Sequence, residues 1–269
     1  NPGSVTLTPG GVGRNIAHDL CLLGLDVSLV SAVGDDSNGE FLLERCRSLG
    51  MDVSRVRVVP GARSSSYLYI TDERGDMQLA VNDMAVCNEI SPEYLESVLP
   101  GIQAGALVLD TNLPVESLEF ICRSSCIPLY ADPVSSVKAM KLRSVMKHLR
   151  AIKPNALEAA ALTGQTDPEL AARALIDEGV QRVFISLGTN GMIAAEGSRI
   201  LRMPSPEANV VNATGAGDAA MSAIVWADLH GLSLEDSARA AQLAGAITCA
   251  SEESNAPELS RLPGLLAAE

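Results

Sequence analysis

The sequence has no uninterrupted apolar stretch approaching the roughly 20 residues that a helix needs to cross a bilayer. Its first ten residues do not show the basic and then apolar layout of a secretory signal. Basic residues are scarce: 20 Lys and Arg stand against 33 Asp and Glu, which gives a net charge of −13. This charge repels polyanions, and no run of Lys and Arg offsets it. We therefore expect neither a membrane nor a nucleic acid as partner.

A cysteine framework is also missing. Six cysteines are scattered along the chain, most of them inside apolar patterns where a reduced thiol acts as a small hydrophobic group. Cys122 and Cys126 are four residues apart, but no second pair or neighbouring histidine accompanies them, so we do not expect a metal site there. A reducing compartment is the simpler interpretation. We expect a soluble intracellular protein, in the cytoplasm first, with an organelle left open.

The pattern that is present predicts an α/β fold. The chain has 269 residues, 47% of them apolar, and this favours a single domain with one large core. Helical periods alternate with short β-rich runs, which is typical of a mostly parallel sheet. Helices are predicted at Asn15–Leu23, at Gly39–Gly50, after Gly217 and at Leu234–Ala250. Strands are predicted at Val27–Val33, Ala106–Leu109, Pro128–Ala131, Ala151–Ile152 and Arg182–Leu187.

One segment, at about residues 56–84, departs from this alternation. Val56–Val59, Ser65–Thr71 and Met77–Val81 are short alternating runs separated by turn signals. They predict a small antiparallel sheet inserted into the α/β unit. Such an insert could be a lid that excludes water from a site at the strand ends, or simply an extension of the sheet edge.

The segment from Asn212 to Asp218 carries the strongest chemical signal. Its glycines let a ligand approach the backbone, and the helix that follows offers unpaired N–H groups to an anion. Asp218 could accept the proton of an attacking hydroxyl while these N–H groups hold a phosphoryl group. The alternative is an ordinary loop in which this aspartate caps the helix.

Three weaker signals accompany it. Asn155 and Glu158 are three residues apart at a helix start, where they could hold hydrated Mg2+ or form a capping box. The turn from Gly10 to Asn15 could bring backbone and the Asn15 amide to ligand hydroxyls, with N-capping as the alternative. The turn from Ser186 to Gly191 ends a strand where ligands gather in open α/β sheets, although most such glycines only turn the chain.

Together, the order and spacing of these motifs resemble those of the PfkB (ribokinase-like) carbohydrate kinases over nearly the whole chain. The resemblance implies a three-layer α/β sandwich with a mostly parallel central sheet and a small antiparallel β lid, and it implies ATP and Mg2+ as cofactors. It implies that Asp218 is the base and that Gly215, Ala216 and Gly217 form the anion hole. The implied nucleotide-binding residues are Asn155, Ser186, Gly188, Gly191, Thr214, Gly215 and Gly217, and the implied metal-binding residues are Asn155 and Glu158.

Several strings are similar to those of family members that phosphorylate the 5′-hydroxyl of pseudouridine. They are Thr8 to Ala17, Ser65 to Tyr67, Val81 to Met84, Ala131 to Ser135 and the turn that ends at Asp218. The resemblance implies that a nucleoside or sugar contacts Gly11, Gly13, Arg14, Asn15, Ser66, Tyr67, Asn82, Asp83 and Asp132. A ribokinase, a fructokinase, an adenosine kinase and a catalytically silent nucleoside-binding protein remain open alternatives.

The sequence departs from the family pattern in two places. Asn212 and Ala213 stand where Asp and Thr are common, and we expect this to affect nucleotide contacts or a monovalent ion such as K+. The family's opening strand, which brings an Asp to the sugar, is expected to be absent; an isoform, a trimmed chain and the core of a longer protein are all open. Its absence would weaken sugar binding and the sheet. By analogy we expect a homodimer, with the strands between Val56 and Val81 in its contact.

Overall fold

A computed structural model describes residues 5–71 and 77–267. Helices are α1 Val12–Leu22, α2 Ser37–Ser48, α3 Pro92–Val98, α4 Val115–Ser124, α5 Ser136–Ala139, α6 Ala156–Thr163, α7 Pro168–Asp177, α8 Ala216–Leu229, α9 Leu234–Cys249 and α10 Leu262–Ala267. Strands are β1 Ser31–Gly34, β2 Val56–Val59, β3 Ser66–Thr71, β4 Met77–Asp83, β5 Leu107–Asp110, β6 Leu129–Asp132, β7 Leu149–Ile152, β8 Arg182–Ser186, β9 Met192–Glu196 and β10 Arg199–Met203. Short 3-10 turns cover Ala85–Glu89, Met140–Leu142, Met146–His148, Gly188–Asn190 and Pro257–Arg261.

The central sheet has the strand order β10-β9-β8-β7-β6-β5. Strands β5 to β8 pair in parallel, while β9 runs antiparallel to β8 and β10 antiparallel to β9. In a parallel array the carboxyl ends of all strands meet at one edge of the sheet, where ligands bind in open α/β folds. The predicted mostly parallel sheet is therefore confirmed.

The strands of this sheet bury both of their faces. Along β8, Val183 and Ile185 belong to one hydrophobic cluster and Phe184 to another, and β9 alternates in the same way. One cluster contains residues of α4, α6 and α7, and the other contains residues of α1, α8 and α9. Helices thus cover each face of the sheet, and the predicted three-layer sandwich is confirmed.

The boundaries of some predicted elements were wrong. The strand predicted over Val27–Val33 begins only at Ser31; before it, Ser28 forms a single isolated bridge with Asp52. Helix α1 begins three residues before the predicted start at Asn15. Strands β9 and β10 were not predicted, because the alanines of β9 have low strand propensity and enter the sheet only through burial between the layers.

The predicted antiparallel insert is only partly confirmed. Strands β3 and β4 pair antiparallel, as expected. The prediction was wrong for Val56–Val59, which pairs in parallel with β1 from Ser31↔Val56 to Gly34↔Val59. Helix α2 joins β1 to β2, and a crossover connection of this kind lets two strands pair in parallel. The turn signal after Val59 did not indicate which strand β2 pairs with. The antiparallel unit is therefore the hairpin β3–β4.

The last two long helices, α8 and α9, pack closely through small residues. Ala219, Ala223 and Ala227 on α8 share a buried cluster with Ala240 and Ala244 on α9. This packing holds α8 in place just after its first turn, and the first turn contains Asp218. Within residues 5–71 and 77–267, no helix combines the length and apolar character needed to cross a bilayer.

Candidate active site

Asp218 lies in the first turn of α8, at the third helical position. The residue that caps the helix is Gly215, with a φ of 88°, so the interpretation of Asp218 as the N-cap is wrong. A side chain at Gly215 would begin 1.9 Å from the carbonyl oxygen of Ser254, which explains the need for glycine. The first-turn N–H groups of a helix have no intrahelical partner, and here the N–H of Ala216 makes a long bond of 3.4 Å to the carbonyl of Ala213, just before the helix.

Asn15 provides the hydrogen-bond partner of this carboxylate. Its Nδ2 donates to Oδ2 of Asp218 over 2.7 Å, and both side chains are buried. The alternative role of Asn15 as a helix cap is wrong, because α1 begins at Val12 and its N-cap is Gly11. The early glycine turn and the late glycine turn, 203 residues apart in sequence, therefore meet at one carboxylate.

Arg14 holds the glycine turn together. Its guanidinium is buried and donates to the carbonyls of Pro9, at 2.8 Å, and Gly10, at 3.3 Å. It also donates to Oδ1 of Asn255 over 3.1 Å. In this position Arg14 supports the glycine turn, and its contact with substrate stays a prediction.

Burial controls the protonation of Asp218. The side chain is 9% exposed, and loss of solvation raises its pKa from 3.8 to about 7. The hydrogen bond from Asn15 lowers the pKa, the charge of Asp132 raises it, and the charge of Lys153 lowers it. A pKa near neutrality suits a general base, because the group can both exist ionised and accept a proton at physiological pH.

Lys153 is a site residue that the sequence analysis missed. It is 4% exposed, and its Nζ lies 3.2 Å from Oδ2 of Asp132. The same Nζ is 3.4 Å from the point where a side chain at Gly217 would begin. Burial lowers the pKa of Lys153, but the charges of Asp132 and Glu158 outweigh this effect and the pKa is raised. A permanent positive charge therefore lies beside the glycine turn of α8.

Asp110 is a second residue that was missed. It ends β5, and its Oδ2 accepts a hydrogen bond from the backbone N–H of Gly13 over 3.0 Å. Its Oδ1 accepts from the N–H of Asn112 over 2.8 Å. A polar residue at the carboxyl end of a buried strand was the available signal. Asp110 and the predicted Asp132 are the last residues of the adjacent strands β5 and β6, so both carboxylates lie at the same sheet edge.

Asn155 and Glu158 form the capping box that was the alternative to a metal site. Oδ1 of Asn155 accepts from the N–H of Glu158, and Oε2 of Glu158 accepts from the N–H of Asn155, each over 2.9 Å. Glu158 is buried, which raises its pKa. Its second oxygen, Oε1, takes no part in the box. The carboxylate thus retains one hard oxygen donor of the kind that hydrated Mg2+ prefers.

A groove of about 390 Å3 lies at the ends of β7 and β8. The residues that line it are Asn155, Ala156, Leu157, Pro168, Ser186, Leu187, Gly188, Asn190 and Arg202. Three of the predicted nucleotide residues, Asn155, Ser186 and Gly188, are among them. Gly191 is not: it is buried, its φ is 93°, and a side chain there would begin 1.9 Å from the carbonyl oxygen of Met203. Its glycine serves the turn into β9.

The hairpin β3–β4 separates the four substrate residues predicted on it. Tyr67 pairs with Asn82 and Ser66 with Asp83, and successive pairs face opposite sides. Tyr67 and Asn82 therefore share one face, and Ser66 and Asp83 lie on the other. Asp83 forms an ion pair with Arg63 at 3.2 Å. One face of the hairpin therefore presents only two of the four residues, and their contacts with substrate stay predictions.

The turn that precedes α8 is tied to the segment after α9 by the amide of Asn212. Its Nδ2 donates to the carbonyl of Glu252 over 3.1 Å, and its Oδ1 accepts from the N–H of Thr214 over 2.9 Å. Thr214 itself is exposed. The amide satisfies a donor and an acceptor at once, which the carboxylate of an aspartate could not do.

The fold and the site define a class. A three-layer α/β sandwich carries, at the carboxyl ends of its strands, a buried near-neutral carboxylate, helix-start amides and a buried lysine. This arrangement is that of a phosphotransferase with an alcohol as acceptor.

The comparisons with known proteins agree. The chain matches the description "pfkB family carbohydrate kinase" over residues 1–261. It is 38% identical to pseudouridine kinase of Escherichia coli strain K12, covering 97% of this chain and 86% of that protein. It is 37% identical to the uncharacterized sugar kinase YeiI of the same strain, covering 97% and 74%. An E. coli protein assigned as ribokinase II, solved with ATP and Mg2+, superposes with a TM-score of 0.87 at 19% identity. The superposition covers 100% of this chain and 92% of that protein. The chain belongs to the pfkB family of carbohydrate kinases.

Proposed function

We propose that this kinase transfers the γ-phosphoryl group of ATP to the 5′-hydroxyl of pseudouridine. The observation that carries the proposal is the buried carboxylate of Asp218, bonded to Asn15 and placed at the start of α8. The choice of acceptor rests on the likeness to pseudouridine kinase of E. coli and on the sequence strings shared with such members. We further propose that residues 1–269 act as one catalytic domain with the hairpin β3–β4 as its lid.

The chemistry follows from the groups around Asp218. In its ionised form this carboxylate accepts the proton of the 5′-hydroxyl as the oxygen attacks the γ-phosphorus, and the bond to the β-phosphate oxygen breaks. The backbone N–H groups of Gly215, Ala216 and Gly217 stabilise charge on the transferring phosphoryl oxygens. The ammonium of Lys153 lies next to that turn and adds a fixed positive charge.

ATP and Mg2+ suit the remaining features of the site. The groove that contains Asn155, Ser186 and Gly188 has room for a nucleotide base, and its leucines supply apolar contact. Carboxylates outnumber Lys153 at the strand ends, so a divalent ion is needed to bring a polyphosphate there. Oε1 of Glu158 fits a contact to hydrated Mg2+, which would neutralise phosphate charge. The ATP and Mg2+ bound to the E. coli ribokinase II structure support this choice.

Acceptor recognition is assigned to polar groups on two sides of the site. Asp110 and the turn from Gly11 to Asn15 would contact the ribose. The bond from the N–H of Gly13 to the carboxylate of Asp110 holds the two together at the strand ends. Tyr67 and Asn82 share the hairpin face that would close over the base, and Tyr69 adds a second ring 5.8 Å from the first. Ser66 and Asp83 are left out of this set because they lie on the opposite face.

We further propose that this chain does not require K+. At the position where a carboxylate is common in the family, the amide of Asn212 donates directly to the carbonyl of Glu252. If Oδ1 and Nδ2 of Asn212 changed places, Oδ1 would meet the carbonyl oxygen of Glu252 and Nδ2 would meet the N–H of Thr214. These two partners therefore fix the orientation of the Asn212 amide. The hydrogen bond from the neutral amide of Asn212 to the carbonyl of Glu252 takes the place of a cation that would otherwise lie between a carboxylate oxygen and that carbonyl oxygen.

A homodimer is proposed through the second face of the hairpin. Leu68 pairs with Val81 and Ile70 with Leu79, so four aliphatic side chains share that face, and each is more than half exposed. A two-stranded sheet is marginal on its own, and contiguous exposed apolar side chains mark interaction sites. A second copy of this chain would cover the patch while leaving the Tyr67 face over the site.

The test is an acceptor comparison. The protein is incubated with ATP, Mg2+ and, separately, pseudouridine, uridine, ribose and adenosine, and product is followed by 31P NMR. We expect the highest kcat/KM for pseudouridine and a loss of at least about 100-fold in Asp218→Asn, with the exposed Asp26→Asn as matched control. A preference for free ribose would refute the choice of acceptor. Binding of nucleoside without transfer to any acceptor would identify a silent member of the family.

A further inference from the structure

Asn255 joins three residues of α1 through one side chain. Its Nδ2 donates to the backbone carbonyl of Asn15 over 3.0 Å and to Oδ1 of Asp19 over 2.8 Å, and its Oδ1 accepts from Arg14. The side chain is 6% exposed. Each of these bonds ends on the first two turns of α1, so Asn255 fixes that part of the helix relative to the segment after α9.

The same segment touches the start of α8. Ser254, the neighbour of Asn255, places its carbonyl oxygen against Gly215, the N-cap of α8. Residues 254 and 255 therefore contact both helices whose side chains meet in the bond between Asn15 and Asp218. A shift of this segment would change the distance between donor and acceptor in that bond.

Asp19 is a second buried carboxylate, joined to the first through Asn255 and Asn15. It is 0% exposed, its Oδ1 is bonded to Asn255, and its Oδ2 has no hydrogen-bond partner among residues 5–71 and 77–267. Burial raises its pKa to about 7, the bond from Asn255 lowers it, and the charge of Asp218 raises it. Asp19 and Asp218 thus titrate in the same range and repel each other when both are ionised.

We propose that Asn255 and Asp19 are positioning residues that act on the base Asp218 through Asn15. The proposal rests on the proposed role of Asp218 in phosphoryl transfer. Asn255 sets the geometry of the bond between Asn15 and Asp218, and Asp19 supplies a second site that competes with Asp218 for a proton. Neither residue contacts substrate.

Other charged and titratable groups act on this pair directly or through Arg14. Arg14 acts on Asp19, and Asp110, Asp132 and Lys153 act on Asp218. His18 on α1 and Arg45 and Cys46 on α2 interact electrostatically with Arg14. Asp19→Asn leaves all of them in place and removes one ionisable proton. Because the new amide has nearly the shape of the carboxyl group, its oxygen can still accept the bond from Asn255.

The first test is the pH profile of kcat/KM for phosphotransfer. In the unaltered protein the acid limb falls with decreasing pH as Asp218 gains a proton. In Asp19→Asn that limb is expected to move to lower pH by about half a unit or more, because a competing negative charge has been removed. Asp26→Asn removes an exposed charge near the same helix and is expected to leave the limb in place.

The second test is Asn255→Ala, which removes three hydrogen bonds. We expect kcat to fall about tenfold or more while KM for ATP changes less than about twofold, since the loss acts on the chemical step. Exposed Asn88→Ala is the matched control. If Asn255→Ala does not fold, the pH profile of Asp19→Asn is the test of the proposal.

A readout independent of turnover separates this proposal from the proposed function. Carboxyl 13C NMR follows the ionisation of Asp218 in the unaltered protein and in Asp19→Asn, with Asp218→Asn used to assign the signal. A lower midpoint for Asp218 in Asp19→Asn supports the coupling even if no acceptor is phosphorylated. An unchanged midpoint, or an acid limb that superimposes on that of the unaltered protein, overturns the proposal.

Discussion

Replacing Asp218 with Asn is expected to stabilise the protein in a pH-dependent way. Burial raises the pKa of this carboxyl from 3.8 to about 7, so the native state holds a proton that the unfolded chain releases. Stability therefore falls as pH rises from about 4 to about 7 and is level above that range. The asparagine carries no charge at any pH, so it is free of this loss.

The magnitude follows from the shift. Each pKa unit corresponds to about 1.4 kcal/mol, so the two pH units between pH 5 and the native pKa correspond to about 3 kcal/mol as an upper value. Relaxation around the ionised group reduces this, and about half of it is a reasonable lower value. The advantage of Asp218→Asn over the unaltered protein should thus grow by about 1.5 to 3 kcal/mol between pH 5 and pH 8.5.

Urea unfolding at pH 5 and pH 8.5 measures this difference. The exposed Asp26→Asn variant is the control and should show a difference that is nearly independent of pH. If the difference in unfolding free energy between Asp218→Asn and the unaltered protein stays constant over this range, the argument that burial raises the pKa of Asp218 is refuted. The stability gain would accompany the loss of phosphotransfer, as expected when an active-site charge is held at a cost to folding.

Three further predictions test other parts of the structure. Asp228→Ala should lower the free energy of unfolding by about 1.5 to 3 kcal/mol, because the buried guanidinium of Arg182 keeps Glu196 but loses the carboxylate that it shares with Arg150; urea unfolding against Asp26→Ala checks this. We expect the unaltered protein to sediment as the proposed dimer and Leu68→Asp to sediment as a monomer, and a monomeric unaltered protein would contradict the proposed dimer. Phosphotransfer in KCl and in choline chloride should agree within about twofold, since Asn212 supplies its own bridge, and strong activation by K+ would contradict that role.

The glycine turn and the helix start at α8 could be predicted from sequence because their signal is local. The glycines before Asp218, the apolar helix after them and the acidic residue in the first turn lie within a few residues of one another. Local patterns likewise predicted most strands of the parallel sheet. What they could not give was the orientation of side chains, so the capping alternatives for Asn15 and Asp218 were resolved only by the three-dimensional contacts.

The contacts that complete the site are long-range. Asp110 meets Gly13 across 97 residues, and Asn255 meets Asn15 across 240. A single sequence has no local signal for such pairs, which depend on how helices and strands are packed. The two faces of the hairpin also required the register of β3 against β4, because a shift of one residue exchanges the faces.

The most direct test of the account is a structure of the complete protein with pseudouridine, Mg2+ and a non-hydrolysable ATP analogue. The account predicts the carboxylate of Asp218 within about 3 Å of the 5′-hydroxyl oxygen, with the γ-phosphate at the first turn of α8. An acceptor hydroxyl far from Asp218, or a γ-phosphate bound away from that turn, would contradict it.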